Sequence, residues 1–222
     1  MLRSIAFIPD GNRRYARRLG VNFARAYADG FGKTRQVFEW CLDTPGLKEA
    51  TMWVISTENL QRTPAEVRVF TDLLHTKLTE SLSDPLIVDN SVRVNVFGQL
   101  GLLPQRVREA AETLMSSTAG NAGYVLNLAV GYGGRQELLQ AVQAAAAEGP
   151  VTEDAINRHL YVPTPPDLIV RTGGEQRLSG FMPWQSVYSE LYFSQKLWPE
   201  FSREDFDDAV VSYNARQRRF GL

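Results

Sequence analysis

The sequence predicts an α/β fold in which residues 1–222 form a single domain around a central, mostly parallel six-stranded sheet with surrounding helices. Three observations lead there. Short apolar β-type runs alternate with longer helical patterns along the chain. A length of 222 residues suits one large core and leaves little for a second domain. Polar or glycine-rich loops follow four of the apolar runs, which is where open parallel sheets bind ligands.

In chain order, the first strand is Ser4–Ile8, followed by helices over Asn12–Leu19 and Lys33–Cys41 and a strand at Thr51–Ile55. Thr63-Pro64 then puts proline at the first position of a helix running to Ser81, with Glu66 in its first turn. Val67, Phe70, Leu74 and Leu78 recur there at helical spacing, a stripe that reads either as core packing or as the wall of a hydrocarbon-binding tunnel. Next come a strand at Val92–Phe97, a helix at Gln105–Ser117 and a strand at Val125–Val130. The alanine-rich helix Arg135–Ala147 ends at Gly149-Pro150, and Thr152–His159 forms another. The last strands are Leu168–Val170 and Leu191–Phe193, after which Ser202 caps a helix over Arg203–Arg218.

The formal net charge of -1 gives no basic field for nucleic acid, so any anion site must be a local gathering of arginines. Cys41 is the lone cysteine, which excludes an internal disulfide; it reads as a buried thiol and fits a reducing cytoplasm. Met1 to Ile8 is too short for a secretory signal, and no run approaches the roughly 18 apolar residues that span a bilayer. A soluble cytoplasmic protein is expected, with peripheral membrane contact left open. No Walker loop or Gly-x-Gly-x-x-Gly follows a strand, and His75 and His159 lack zinc-ligand spacing.

Two segments concentrate phosphate chemistry: Pro9-Asp-Gly-Asn-Arg-Arg-Tyr15 and Arg171-Thr-Gly-Gly-Glu-Gln-Arg-Leu-Ser179. Arginine offers a planar fork that matches phosphate oxygens, glycine lets backbone N–H groups come close, and a helix start turns its positive end toward an anion. Asp10, before Gly11 and Asn12, reads either as an N-cap or as a ligand of Mg²⁺ bridging to a diphosphate, with Asn12, Arg13, Arg14 and backbone amides on the phosphate oxygens. Arg171, Arg177 and Ser179 flank Gly173-Gly174 as a second anion site. Ser56-Thr-Glu58-Asn59 with Arg62 forms a polar lip after the second strand, and Glu190 is either merely exposed, facing Arg177, or part of a metal shell.

These residues carry a resemblance. Asp10-Gly-Asn12 with Arg14, Ser56-Thr-Glu-Asn59 with Arg62 and Glu66, Thr118-Ala-Gly-Asn121, Leu126-Asn-Leu128, Tyr132-Gly-Gly134-Arg135, Asp167 to Arg177, Ser189-Glu-Leu-Tyr-Phe193, Leu197-Trp-Pro199 and Arg218-Arg-Phe-Gly221 occur in the order that is similar to the cis-prenyltransferases, the undecaprenyl diphosphate synthase family. The resemblance implies a homodimer whose subunits each enclose an apolar tunnel, acting on isoprenoid diphosphates with Mg²⁺. Asp10 would hold the metal, Asn12 and Arg14 the allylic diphosphate, and Arg171, Arg177 and Ser179 the diphosphate of the second, homoallylic substrate. Glu190 would help complete the metal site across the dimer. Asn59 is expected to act in catalysis with Asp10, and Gly11, Arg13, Tyr27, Ser56, Glu58 and Arg62 to bind substrate.

Departures from the family pattern are informative. Where the family has Gly-His-x-x-Gly, this chain has Ala26-Tyr27-Ala28-Asp29-Gly30; Phe23 replaces a common arginine unless Arg25 supplies it, Arg13 stands at a position often glycine, and Tyr15 at one often tryptophan. Val54 occupies a tunnel position where long-chain members carry a small residue, so a short prenyl product is expected. Irregular head-to-middle coupling of dimethylallyl units, of the lavandulyl or cyclolavandulyl type, is the alternative. A noncatalytic partner subunit is a third reading, against which the chain retains Asp10, Asn12, Arg171 and Arg177.

Overall fold

Strand β1, Ser4–Ile8, lies in the middle of the molecule and shows why the sheet reads as continuous apolar sequence. Its side chains alternate, Ile5 and Phe7 to one core and Ala6 and Ile8 to another, so both faces are buried. The computed structural model describes residues 1–216; the expected helix end at Arg218 and the Arg218-Arg-Phe-Gly221 motif lie outside the described residues.

Six strands form one sheet: β1, β2 (Glu49–Ser56), β3 (Val92–Phe97), β4 (Tyr124–Tyr132), β5 (Leu168–Arg171) and β6 (Glu190–Phe193). The order is β3-β4-β2-β1-β5-β6 and every pairing is parallel. The chain leaves β1 toward β2 on one side and later returns through β5 on the other, so the loops after β1, β2 and β5 open at neighbouring carboxyl ends, the usual ligand crevice of such sheets. The β2–β4 register slips between Trp53 and Ile55, and both Val54 and Ile55 then pack on the larger core's face. A bulge of this kind re-aims side chains beside a site.

The helices are α1 (Asn12–Leu19), α2 (Phe23–Leu42), α3 (Pro64–Ser81), α4 (Pro85–Val88), α5 (Gln105–Thr118), α6 (Gly134–Glu148), α7 (Glu153–His159) and α8 (Arg203–Ala215). Ser202 and Asp205 complete a capping box on α8, Thr63 caps α3, and Gly149 ends α6 at φ 145°. Two expectations are corrected. The helix expected at Lys33–Cys41 starts ten residues earlier, because the Asn22 side chain caps it by accepting from the Arg25 N–H at 2.9 Å, and because Gly30 is held inside it. A Cβ on Gly30 would come 2.4 Å from Asn12 Oδ1, so this glycine marks the close packing of α1 on α2 rather than a break. The short α4, capped by Asp84, had no expected counterpart.

Candidate active site

The loops after β1 and β5 are joined by reciprocal hydrogen bonds. The Asp10 N–H donates to Thr172 Oγ1 at 2.9 Å, and the Thr172 hydroxyl donates to the Asp10 carbonyl at 2.8 Å. The β1–β5 register places Arg171 beside Ile8, two residues before Asp10. Arg171 is only 5% exposed, and its guanidinium donates to Asp10 Oδ2 (2.9 Å), to Ser179 Oγ (2.8 Å) and to the Arg177 carbonyl. From the other side Arg14 pairs with Asp10 Oδ1 at 3.1 Å and donates to the Gly173 carbonyl at 2.7 Å. Asp10 therefore does not cap α1; Gly11 holds that position at φ 114°, with no side-chain cap, and the carboxylate is gripped by two arginines instead.

The second loop corrects one expectation about glycine. The N–H groups of Gly173 and Gly174 do not face an anion, because they donate to the carbonyls of Lys196 and Ser194 at 2.6 and 2.9 Å. What the missing side chain at Gly173 admits is Arg14, whose Nη2 would lie 2.4 Å from a Cβ there. Ser179, at φ 53°, is bent into the left-handed region, where its hydroxyl meets Arg171.

Beside this junction a third group assembles on α3. Glu66 is buried, and its carboxylate accepts from the Tyr27 hydroxyl at 2.5 Å and from Arg62 at 3.2 Å, with Arg13 at 3.5 Å. Arg62 also donates to the Tyr27 oxygen at 2.9 Å. Burial first, then the bond to Glu66, push the Tyr27 hydroxyl up to about 12, against the opposing charge of Arg62. Tyr27 thus stays a neutral donor. In the lip after β2, the Asn59 side chain and backbone N–H both donate to Ser56 Oγ, at 3.0 and 3.1 Å.

These groups enclose a cavity of about 660 Å³. Asp10, Gly11, Asn12, Arg13, Arg14, Tyr27, Val54, Ser56, Glu58, Asn59, Arg62, Arg171 and Ser179, all expected at a site, line it together. Arg17, from the arginine run beside Asp10, and Phe70, from the α3 stripe that reads as core or tunnel wall, join them, and Glu66, which in sequence shows only in its motif with Arg62, supports them from behind. Five arginines line the wall against two lining carboxylates, Asp10 and Glu58, and even with Glu66 behind Arg13 and Arg62 the positive charges are in excess, which favours an anion. A second, apolar pocket of about 220 Å³ continues between α2, α3 and the sheet, lined by Phe31, Phe38, Phe70, Leu74 and Leu78 among others. The α3 stripe is therefore both core and pocket wall, except Val67, which does not reach the pocket. Pro9, Asn12, Tyr27, Trp53, Val54 and Phe70 line both spaces and join them.

Two expected residues stand apart. The Arg177 guanidinium is exposed and pairs with Glu175, so only its carbonyl takes part, through Arg171. Glu190 pairs in register with Leu168, three residues and about 10 Å along the strand from the level of Arg171. In a parallel sheet that is the amino end, away from Asp10, and the Glu190 carboxylate is held by Arg216 at 2.5 Å. Within one chain Glu190 and Asp10 do not meet. Among the described residues no group of three His, Cys, Asp or Glu side chains could hold a metal. One partly exposed carboxylate such as Asp10 nonetheless fits Mg²⁺, which binds through one or two carboxylates with substrate phosphates and waters completing its shell. No helix among the described residues is long and apolar enough to cross a membrane.

Fold and site together define an α/β enzyme with an arginine-rich cavity opening into an apolar pocket, the shape required by a substrate with a diphosphate head and a hydrocarbon tail. Residues 8–221 match the family described as "Putative undecaprenyl diphosphate synthase". A tritrans,polycis-undecaprenyl-diphosphate synthase (geranylgeranyl-diphosphate specific) of Pyrobaculum aerophilum is 42% identical over 98% of this chain and 94% of its own. A (2Z,6E)-farnesyl diphosphate synthase of Mycolicibacterium smegmatis is 42% identical over 99% of this chain and 88% of its own. Among solved structures, lavandulyl diphosphate synthase from Lavandula x intermedia, in complex with dimethylallyl diphosphate, superposes with a TM-score of 0.93 at 30% identity, covering 100% of this chain and 98% of that one. The chain belongs to the undecaprenyl diphosphate synthase family of cis-prenyltransferases and is an enzyme that transfers prenyl groups.

Proposed function

We propose that the protein is a Mg²⁺-dependent, short-chain cis-prenyltransferase that moves an allylic prenyl group from its diphosphate to isopentenyl diphosphate. The observation that carries this reading is the joining of the five-arginine cavity at Asp10 to an apolar pocket of only about 220 Å³, with Val54 at the junction. Asn12 and Arg14 hold the allylic diphosphate, while Arg171 and Ser179 hold the second substrate's head. Arg177 would contribute its side chain only after leaving Glu175, and Glu190 would contribute only across a homodimer. Asp10 would ligate the Mg²⁺, which neutralises charge on the leaving diphosphate. The arginines add preorganised donors to the same developing charge, and Asn59, oriented by Ser56, lines the same cavity. The allylic carbon–oxygen bond breaks with its electron pair leaving on diphosphate, the double bond of isopentenyl diphosphate forms the new carbon–carbon bond to that carbon, and loss of a proton from the added unit restores its double bond.

Incubation with isopentenyl diphosphate and dimethylallyl, geranyl or farnesyl diphosphate, with Mg²⁺ or with EDTA, tests the proposal. A short prenyl diphosphate that forms only with the metal is expected; no product from any combination refutes it. Light scattering of the purified protein checks the homodimer.

The likeness to lavandulyl diphosphate synthase, over 100% of the chain, favours a second reading, head-to-middle coupling of two dimethylallyl diphosphates. Dimethylallyl diphosphate supplied alone separates the two: a branched or cyclised product skeleton by NMR supports coupling, and a linear product only with isopentenyl diphosphate supports elongation.

A further inference from the structure

Six residues join the two spaces, and Tyr27 differs from the other five in how it is held. Its ring is 4% exposed and meets Phe70 edge-on, with centroids 5.2 Å apart and planes at 90°. Its hydroxyl is fixed at both ends of its hydrogen-bonding capacity, donating to Glu66 at 2.5 Å and accepting from Arg62 at 2.9 Å. An aromatic side chain without such ties can turn aside for a ligand. Turning Tyr27 aside would strip a donor from a carboxylate that is itself buried, a costly change in a site of low dielectric. Phe70, which backs the ring, belongs to the main core.

We propose that Tyr27, pinned by Glu66 and Arg62, is a rigid constriction between the diphosphate cavity and the apolar pocket, and that it sets the length of allylic diphosphate the enzyme accepts, favouring the shortest. This deepens the elongation reading and rests on it. A hydrocarbon tail whose head is held by Asn12 and Arg14 would reach Phe38 or Leu78 through the junction that Tyr27 lines, so the longer the tail the more it would meet the constriction.

The readout is the ratio of kcat/KM for farnesyl over dimethylallyl diphosphate, each with isopentenyl diphosphate. A merely structural role for Tyr27 lowers both values together and leaves that ratio in place. Tyr27→Ala removes the ring, and the ratio is expected to rise about tenfold or more, the low end of what a steric pocket contact discriminates. Tyr27→Phe keeps the ring and cuts its tethers, so a smaller rise in the same direction is expected; it also decides the matter should the alanine variant fail to fold. An active variant whose ratio stays within about twofold of the parent's, less than steric discrimination supplies, overturns the constriction while leaving the prenyltransferase reading intact. An unaltered protein inactive with every allylic diphosphate refutes the elongation reading, and the constriction with it.

Discussion

Replacing Arg171 by lysine tests the junction of the two loops most directly, because the charge stays while the fork is lost. Arg171 makes three hydrogen bonds, to Asp10, Ser179 and the Arg177 carbonyl, and the first two use different ends of its planar head. One ammonium on a flexible stem keeps about one of the three contacts. Two lost bonds to a charged donor, at roughly 1.5 kcal/mol each, amount to about 3 kcal/mol, or about 100-fold in rate terms. Asp10 is 31% exposed and keeps Arg14, so no further Coulomb loss is added. The expected result is a fall of about 100-fold in kcat/KM for isopentenyl diphosphate, carried mainly by KM, with a smaller change for the allylic substrate. Steady-state kinetics at fixed saturating allylic diphosphate measures it, with circular dichroism confirming the fold. A variant that is folded and within about threefold of the parent, well under one such hydrogen bond, refutes the idea that this guanidinium organises the second anion site.

Asp10→Ala should lower kcat by two to three orders of magnitude, roughly the scale of removing one preorganised charge stabiliser, and should flatten the Mg²⁺ titration; full activity at ordinary Mg²⁺ would contradict the placement of the metal. Val54→Ala should lengthen the product by about one isoprene unit or more, since a few methylenes at a steric contact decide what a pocket admits, and mass spectrometry of the extracted products reads this; an unchanged distribution excludes Val54 as a limit. The hydrogen bonds from Arg35, at 2.8 and 2.9 Å, and then the Leu86 N–H hold the Asp84 carboxyl below its usual range, against the effect of partial burial. Its folded pKa is depressed, so the stability it adds is present above about pH 4 and is lost as pH falls through the lower, folded value. The gap in urea midpoint between the parent protein and Asp84→Asn should therefore be open at neutral pH and close on acidification; a gap that persists below the carboxylate range would contradict the pairing.

Much of this fold can be read from local pattern. The run Ile5-Ala-Phe-Ile8 is apolar on both faces because it is buried on both, and Thr63-Pro64 and Ser202 announce their helices through caps that need no distant partner. The Asp10 and Arg171 loops were legible as a pair because arginine among small residues is an unusual composition for a strand end. Long-range geometry was not legible. Gly30 looks like a helix breaker until Asn12 is seen against it, and Gly173 looks like an anion nest until Arg14 is seen filling its space. Glu66 presents itself as an ordinary first-turn acid, and only its contact with Tyr27, thirty-nine residues back, makes it a buried anchor. The position of Glu190 depends on strand register, which a four-residue strand does not encode by itself.

The exchange of hydrogen bonds between Asp10 and Thr172 turns two chain segments 162 residues apart into one piece of scaffolding. Both bonds run through the Thr172 hydroxyl, so under the proposed function the spacing of the two substrate platforms would be held by that one side chain together with the paired strands β1 and β5. On the proposed function, variation in the apolar pocket would change what is made while this junction stays in place.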